Sequence, residues 1–339
     1  MPSICSRTPY SRNQLPKRNM AVIDEVQKVP GLLDVVHHLI EQYQDLRFLL
    51  TGSSARKLKR GGGNLLAGRA FLNYLYPFTH FELEKAGMDI DFNEILTFGL
   101  LPKVVSFRST SSKRKFLEAY VDTYLKEEIL EEQVIRDVES FSHFLEIAAQ
   151  SGGKVINYSK IARDLGINDK TVKSYFSILE DTLVGFLLYP HSTSKRKKYS
   201  QNPKYYFFDM GVLRYLQNPD MPQINEGTYE YGNIFQNFLI LEIFKTNKYK
   251  SIHYSLSYVR TYNDREIDLI LEKKGQPSIL IEIKSSSYVK NEDVASLNAL
   301  RDQFPGADCY LLSYDDVAQN IDNVHVLHWK EGLRKLGLY

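Results

Sequence analysis

Two short apolar runs near the start of the chain, AVID (Ala21–Asp24) and the head of RFLLTGSS (Arg47–Ser54), constrain the fold more than any other feature. Between them lies a turn carrying Pro30, then LLDVVHHLIEQY (Leu32–Tyr43), where Leu32, Val35, Val36, Leu39, Ile40 and Tyr43 recur at helical spacing. Strand, helix and strand within about thirty residues is what a parallel crossover requires, so the spacing predicts a β-α-β unit. Ligands of such sheets sit at the carboxyl ends of the strands. Asp24, Glu25, Thr51, Ser53 and Ser54 all fall there. An Asp in that place can hold Mg²⁺, usually through water. The following Glu can polarise an attacking water, and a hydroxyl on the neighbouring strand can sense a terminal phosphate. GGGNLLAGRAF then sets Arg69 behind a glycine run, where it could stabilise phosphate charge in this subunit or a neighbour. A surface ion pair is the alternative for that arginine.

The chain has 339 residues, enough for two or three domains, with 43% hydrophobic and 25% charged residues, an ordinary globular balance. A formal charge of +2 gives no overall field toward nucleic acid or membrane, so any basic surface must be local. The two cysteines, Cys5 and Cys309, form no metal or disulfide framework, and a reducing cytoplasm is the expected setting. No apolar run approaches the ~18 residues of a membrane helix, so no membrane partner is expected. Residues 1–19 are basic and polar without an apolar centre, which reads as a disordered tail.

INYSKIARDLGINDKTVKSYFSILEDTLVGFLLYP (Ile156–Pro190) carries clear punctuation. Ser159 is the expected N-cap of a helix with Ile161, Ala162 and Leu165 on one face; Gly166 ends it and Ile167 plugs the turn. Asn168 or Asp169 caps a second helix with Val172, Tyr175, Phe176 and Leu179 inward. Helix, glycine turn and capped helix is a helix-turn-helix pattern, and FLLYP as a following strand suggests a winged variant. Lys170, Thr171, Lys173 and Ser174 would then face outward, able to reach phosphates and base edges of DNA. The basic run KRKKYSQNPK (Lys195–Lys204) adds to that reading; a packing module beside another domain, with a solvated charge run, is the alternative.

YEYGNIFQNFLILEIFK (Tyr229–Lys245) has helical spacing, and SIHYSLSYVR (Ser251–Arg260) reads as a strand. REIDLILEKKGQPSILIEIKSS gives two more strands around a turn at Lys274–Pro277. Strict alternation sets Asp268 and Ile270 on one face and Ile267, Leu269 and Leu271 on the other, while Glu282 and Lys284 share a face. Two carboxylates and a lysine converging suit Mg²⁺-dependent phosphodiester cleavage: Asp268 and Glu282 would hold the metal, and Lys284 would orient water or offset charge. A Glu282–Lys284 ion pair on a solvated face is the alternative.

VIDEVQKVPGLL, LLTGSSARKL and LLAGRAFLNYLYPFTHFEL, with ILTFGLLPKVV and YLKEEILEEQVIRDVESFSHFLEIAA further on, resemble a prokaryotic family of AAA-type P-loop ATPases with a C-terminal domain of unknown function. The resemblance runs from about residue 20 onward. It implies Asp24 and Glu25 as the Walker B pair, Ser53 as a sensor-like residue and Arg69 as an arginine finger. It also implies ATP and Mg²⁺ as cofactors and, for the intact family, a homo-oligomer. The string D-x13-E-x-K at Asp268, Glu282 and Lys284 resembles the PD-(D/E)XK nucleases, with a restriction-endonuclease-like fold. Two departures matter. The sequence lacks G-x-x-x-x-G-K-[ST]; SGGKV (Ser151–Val155) fails at Ala148 and Val155. The expectation is an N-terminally truncated member, impaired in ATP binding and hydrolysis, with a nucleic-acid-binding or nuclease-like module or a non-catalytic remnant as alternatives. Gln236 stands where the resembled helix carries Glu, ahead of a second Glu matched by Glu242. The predicted architecture is α/β and multidomain: a partial P-loop AAA-type parallel sheet at 20–80, a helical segment with a winged helix at 81–195, and a restriction-endonuclease-like α/β domain at 196–339.

Overall fold

The computed structural model describes residues 19–29, 31–52, 70–125, 138–192, 202–263 and 265–339. The chain divides into two compact units, Met1–Asn73 and Tyr74–Tyr339.

In the first unit, β1 (Met20–Ile23) and β2 (Arg47–Leu50) pair in parallel, Ala21 opposite Phe48, with α1 (Leu32–Gln42) as the crossover. Leu33 and Val36 are the buried residues of α1, and Val26 in the preceding turn is buried too. Val35, expected inward, is 51% exposed. The buried stripe is rotated toward Leu33, one of two adjacent leucines between which periodicity does not choose. On the strands, Met20, Val22 and Leu49 stay exposed while their alternate neighbours are half-buried.

The second unit begins with short capped helices. Thr79 and Glu82 form a reciprocal capping box at α2 (His80–Lys85), and Asp91 caps α3 (Phe92–Phe98). Then come α4 (Pro102–Ser106), α5 (Thr110–Ala119), α6 (Val138–Gln150), α7 (Tyr158–Leu165) and α8 (Asp169–Asp181). The N-cap of α7 is Asn157, whose side chain accepts Lys160 N–H at 2.9 Å. Ser159, the expected cap, donates instead to Asp169 at 2.6 Å. Gly166 takes the left-handed turn at φ 66° and Asn168 caps α8.

β3 (Gly185–Leu188) pairs antiparallel with β4 (Lys204–Phe207), followed by α9 (Met210–Gln217), whose residues Met210–Leu216 are all buried. The boundary expected at 195/196 falls between the two strands of this hairpin. All four residues of β4 are buried, and α9 packs on α3 and α6. The strand and helix beyond the expected boundary therefore belong with the helices before it.

α10 (Tyr229–Tyr249) leads into β5 (Ser255–Arg260), β6 (Glu266–Glu272), β7 (Ile279–Ile283), α11 (Ala295–Leu300), β8 (Asp308–Ser313), β9 (Gln319–Ile321), β10 (Val324–His328) and α12 (Trp329–Lys335). The six strands form one mixed sheet in the order β5-β6-β7-β8-β10-β9. β5, β6 and β7 are antiparallel neighbours; β7, β8 and β10 are parallel. One face packs with α10 in the large hydrophobic core, and the other holds a smaller core with Val294, Leu297 and Leu300 from α11 and the short turn before it. Among the described residues no helix is long and apolar enough to cross a membrane.

Candidate functional site

The alternation predicted for β6 does not hold at Asp268. Ser257 of β5 pairs with Ile270 but Val259 pairs with Ile267, so Asp268 and Leu269 together face the single residue Tyr258. This bulge puts Ile267 and Ile270 in the same small core, with Leu269 and Leu271 in the large one. The β6–β7 ladder runs from Leu271–Ile279 to Leu269–Ile281. Beyond it the Asp268 side chain takes the place of a backbone partner: Oδ2 accepts Ile283 N–H at 2.8 Å. Gln236, two turns into α10, donates its amide to Asp268 Oδ1. Lys284, just past β7, reaches Glu282 Oε1 at 2.9 Å. The structure thus brings Asp268, Glu282, Lys284 and Gln236 together at one end of the sheet.

Glu282 and Asp268 are each about 5% exposed. Burial pushes the Glu282 carboxyl up, the Asp268 charge adds to this, and Lys284 opposes it. Burial likewise raises Asp268, against the pull of Lys204. Burial lowers Lys284, but the two carboxylates outweigh it and hold its ammonium above the ordinary range. Glu282 Oε2 is buried and has no hydrogen-bond partner. A buried, desolvated carboxylate oxygen without a donor calls for a proton or a cation. A proton on Glu282 meets that need; so could one divalent ion of the Mg²⁺ kind, which takes one or two carboxylates and completes its shell with water and phosphate oxygen. Among the described residues no group of three or more His, Cys, Asp or Glu could hold a metal. Glu242 is not part of this cluster: its Oε2 accepts His80 N–H at 2.7 Å, elsewhere along α10.

In the first unit Asp24 and Thr51 meet as the β-α-β order predicts. The Thr51 hydroxyl donates to Asp24 Oδ1, and Thr51 N–H reaches Ile23 O at 2.9 Å, which fixes the two strand ends together. Glu25 sits in the left-handed region at φ 53°, its N–H directed to the Thr51 hydroxyl at 3.3 Å. Ser53, Ser54 and Arg69 lie outside the described residues.

On α8, Lys170, Lys173 and Ser174 are exposed and Thr171 is half-buried, its N–H held by Asn168. The Lys173 ammonium lies 5.1 Å from the Tyr158 ring. Of the basic run, Lys195–Gln201 lie outside the described residues, and its last member, Lys204, is 2% exposed and ion-paired with Glu266. It offers no charge to a phosphate.

Residues 5–84 match an AAA domain, residues 89–223 a domain of unknown function (DUF8612) and residues 231–331 another (DUF4143). The three matches support an AAA-type family with C-terminal domains of unknown function. Uncharacterized proteins of Mycobacterium bovis and Mycobacterium tuberculosis are each 26% identical over 269 residues, 79% of this chain and 59% of theirs. An uncharacterized protein of Methanocaldococcus jannaschii is 21% identical over 315 residues, 86% of this chain and 68% of its own. The chain thus spans about 59% of the mycobacterial relatives' length. No solved structure matches it. The matches divide the carboxylate site: Gln236, Asp268, Glu282 and Lys284 fall within 231–331, but Lys204 falls within 89–223. No sequence motif singled out Lys204 for this site, because its partner is 62 residues away.

Proposed function

We propose that the chain carries the Walker B half of an AAA-type ATPase site and by itself binds ATP weakly. The observation that carries this is the meeting of Asp24 and Thr51 at the ends of two parallel strands, in a segment that matches an AAA domain. Asp24 is exposed and keeps a carboxylate oxygen suited to Mg²⁺ through water. The sequence supplies no glycine-rich lysine loop, so the backbone N–H cradle and the phosphate-binding ammonium are lacking and the residues present do not fit the triphosphate. No hydrolytic step follows from Asp24 and Glu25 alone. Calorimetric titration with Mg-ATP is the test: binding weaker than about 1 mM is expected, only ~4 kcal/mol. Micromolar binding lost in Asp24→Asn refutes the impairment and keeps the ATPase reading.

A second reading is favoured by a different observation, the convergence of Asp268, Glu282 and Lys284 with an unpaired buried carboxylate oxygen. It takes the C-terminal sheet as a PD-(D/E)XK-type module acting on nucleic acid, and α7, α8 and the β3–β4 hairpin as a winged helix that presents Lys170, Lys173 and Ser174 to DNA. Asp268 and Glu282 would hold Mg²⁺, which supplies Lewis acidity and a reactive water when bound. Lys284 is 38% exposed, so its ammonium can reach solvent and offset charge on a phosphodiester. Gln236 brings a neutral amide where a third anion would strengthen the metal site. Slow Mg²⁺- or Mn²⁺-dependent cleavage of DNA, abolished in Asp268→Ala and Lys284→Ala, is the expected result. No cleavage of single- or double-stranded substrates with either metal removes the catalytic form of this reading.

A further inference from the structure

The carboxylate end of the sheet contains a cation that the D-x13-E-x-K string does not include. Lys204 opens β4, and its backbone is held from two sides. Val155 bridges to it and Ile156 N–H reaches Pro203 O at 2.9 Å, while the Tyr258 hydroxyl of β5 donates to Asn202 O at 2.8 Å. Its side chain is 3% exposed. The ammonium pairs with Glu266 Oε1, lies 5.1 Å from the Tyr258 ring, and faces Asp268 and Tyr206 in the same enclosed region. Glu266 is two residues before Asp268 on β6 and is approached from its other side by Arg260 Nε at 3.8 Å. A buried lysine with this little freedom stays where its carboxylate partner is.

The pairing has a consequence for any ion that enters. Three carboxylates belong to this end of the sheet, Glu266, Asp268 and Glu282. Lys204 and Arg260 occupy the first, so only Asp268 and Glu282 remain as anionic ligands. Clamping two divalent ions a few ångströms apart needs more anionic oxygen than two carboxylates supply, and a fixed ammonium beside them repels a second ion. We propose that Lys204, delivered from the preceding domain by the β3–β4 hairpin, is a built-in cation of the carboxylate site that withholds Glu266 from the ligand set and restricts the site to one divalent ion. The inference rests on the metal-site reading of Asp268 and Glu282. Lys204 is a positioning residue: it acts through Glu266 and the local field.

Mn²⁺ titration of the full chain, followed by the loss of the free-ion electron paramagnetic resonance signal, tests this. Wild type should take up one Mn²⁺. Lys204→Met should bind it about tenfold more tightly, because a positive charge leaves the site and Glu266 keeps only Arg260, at 3.8 Å; Lys204→Arg should match wild type. A lysine that only braced the hairpin would give the opposite sign, weaker binding through a loosened site. Should Lys204→Met not fold, Glu266→Gln serves, and at least fivefold weaker binding is expected when Lys204 is left uncompensated. Two ions in wild type, equal measurable affinity in wild type and Lys204→Met, or unchanged affinity in Glu266→Gln overturns the role of Lys204 alone. Silence of wild type and Lys204→Met alike overturns the metal reading, and this inference with it.

Discussion

Gly99→Ala should be among the most damaging single substitutions in the second unit. Gly99 follows α3 with φ 71° and ψ −165°, a conformation essentially confined to glycine. An added Cβ would stand 2.1 Å from Asp209 Oδ1 and 2.5 Å from Gly211 N. Asp209 cannot yield easily: it is 1% exposed, and its carboxylate accepts Leu100 N–H at 2.7 Å, Gly211 N–H at 2.8 Å and Val212 N–H at 3.2 Å. Those bonds cap α9, buried from Met210 to Leu216, and tie it to the segment after α3. Forcing alanine into this backbone costs about 1–3 kcal/mol. Displacing the carboxylate weakens hydrogen bonds to a charged group worth about 1.5–3 kcal/mol each. Losing one of the three outright brings the total to about 4 kcal/mol, a large share of the ~5–15 kcal/mol that holds a domain together. Urea unfolding followed by tryptophan fluorescence reads this through Trp329, the single tryptophan, buried in the same core. A midpoint shift equivalent to less than about 1 kcal/mol would refute the reasoning, because the backbone term alone predicts at least that.

Three further outcomes are expected. Burial pushes the Glu242 carboxyl up to about 7, against the pull of Lys245; a carboxyl raised in the folded state stabilises most below its unfolded value and loses that as pH rises. Wild type should therefore lose about 3 kcal/mol relative to Glu242→Gln between pH 4.5 and 7.5, and urea midpoints that stay parallel in the two proteins would contradict this. Asn157→Ala removes the cap of α7 and should cost about 1 kcal/mol, whereas Ser159→Ala should cost less; the reverse ranking in thermal unfolding would restore Ser159 as the cap. Lys170→Glu with Lys173→Glu should weaken DNA binding at least tenfold at 50 mM salt and flatten its salt dependence, and unchanged affinity in a gel-shift titration would reject groove contact by α8.

Local punctuation and long-range geometry were legible to different degrees. The β-α-β order of the first unit, the Gly166 turn and the strands bearing Asp268 and Glu282 follow from spacing, because each depends on neighbours within a few residues. Val35 and Leu33 show where spacing stops: both suit a helical stripe, and only the packing partners choose between them. The bulge at Asp268 had no signal in the sequence. A strand with one extra residue reads the same as a regular one, yet it is the bulge that turns Asp268 toward Gln236 and away from strict alternation. Glu242 shows how far a match along one helix lies from the site in space. It stands six residues from Gln236 on one helix, a separation that carries it about 9 Å along the axis, to His80 and Lys245 rather than to the carboxylate end.

Lys204 shows why composition misleads most where the chain folds back. In sequence it closes a run of basic residues, and the natural reading is a solvated or phosphate-binding loop. In the structure the last residue of that run enters a hairpin whose second strand is wholly buried, and its charge is spent on Glu266. A charge run is an average over residues, while burial is decided by where each backbone position pairs. The same hairpin explains why a boundary between helices and sheet cannot lie at 195/196. β3 and β4 complete one another, Tyr189 and His191 exchange backbone hydrogen bonds with Tyr258 of β5, and Lys204 reaches the carboxylates of β6. Removing residues 89–223 would thus strip the C-terminal sheet of an edge partner and of its buried cation together. Any activity of the Asp268 cluster belongs to the two domains of unknown function jointly.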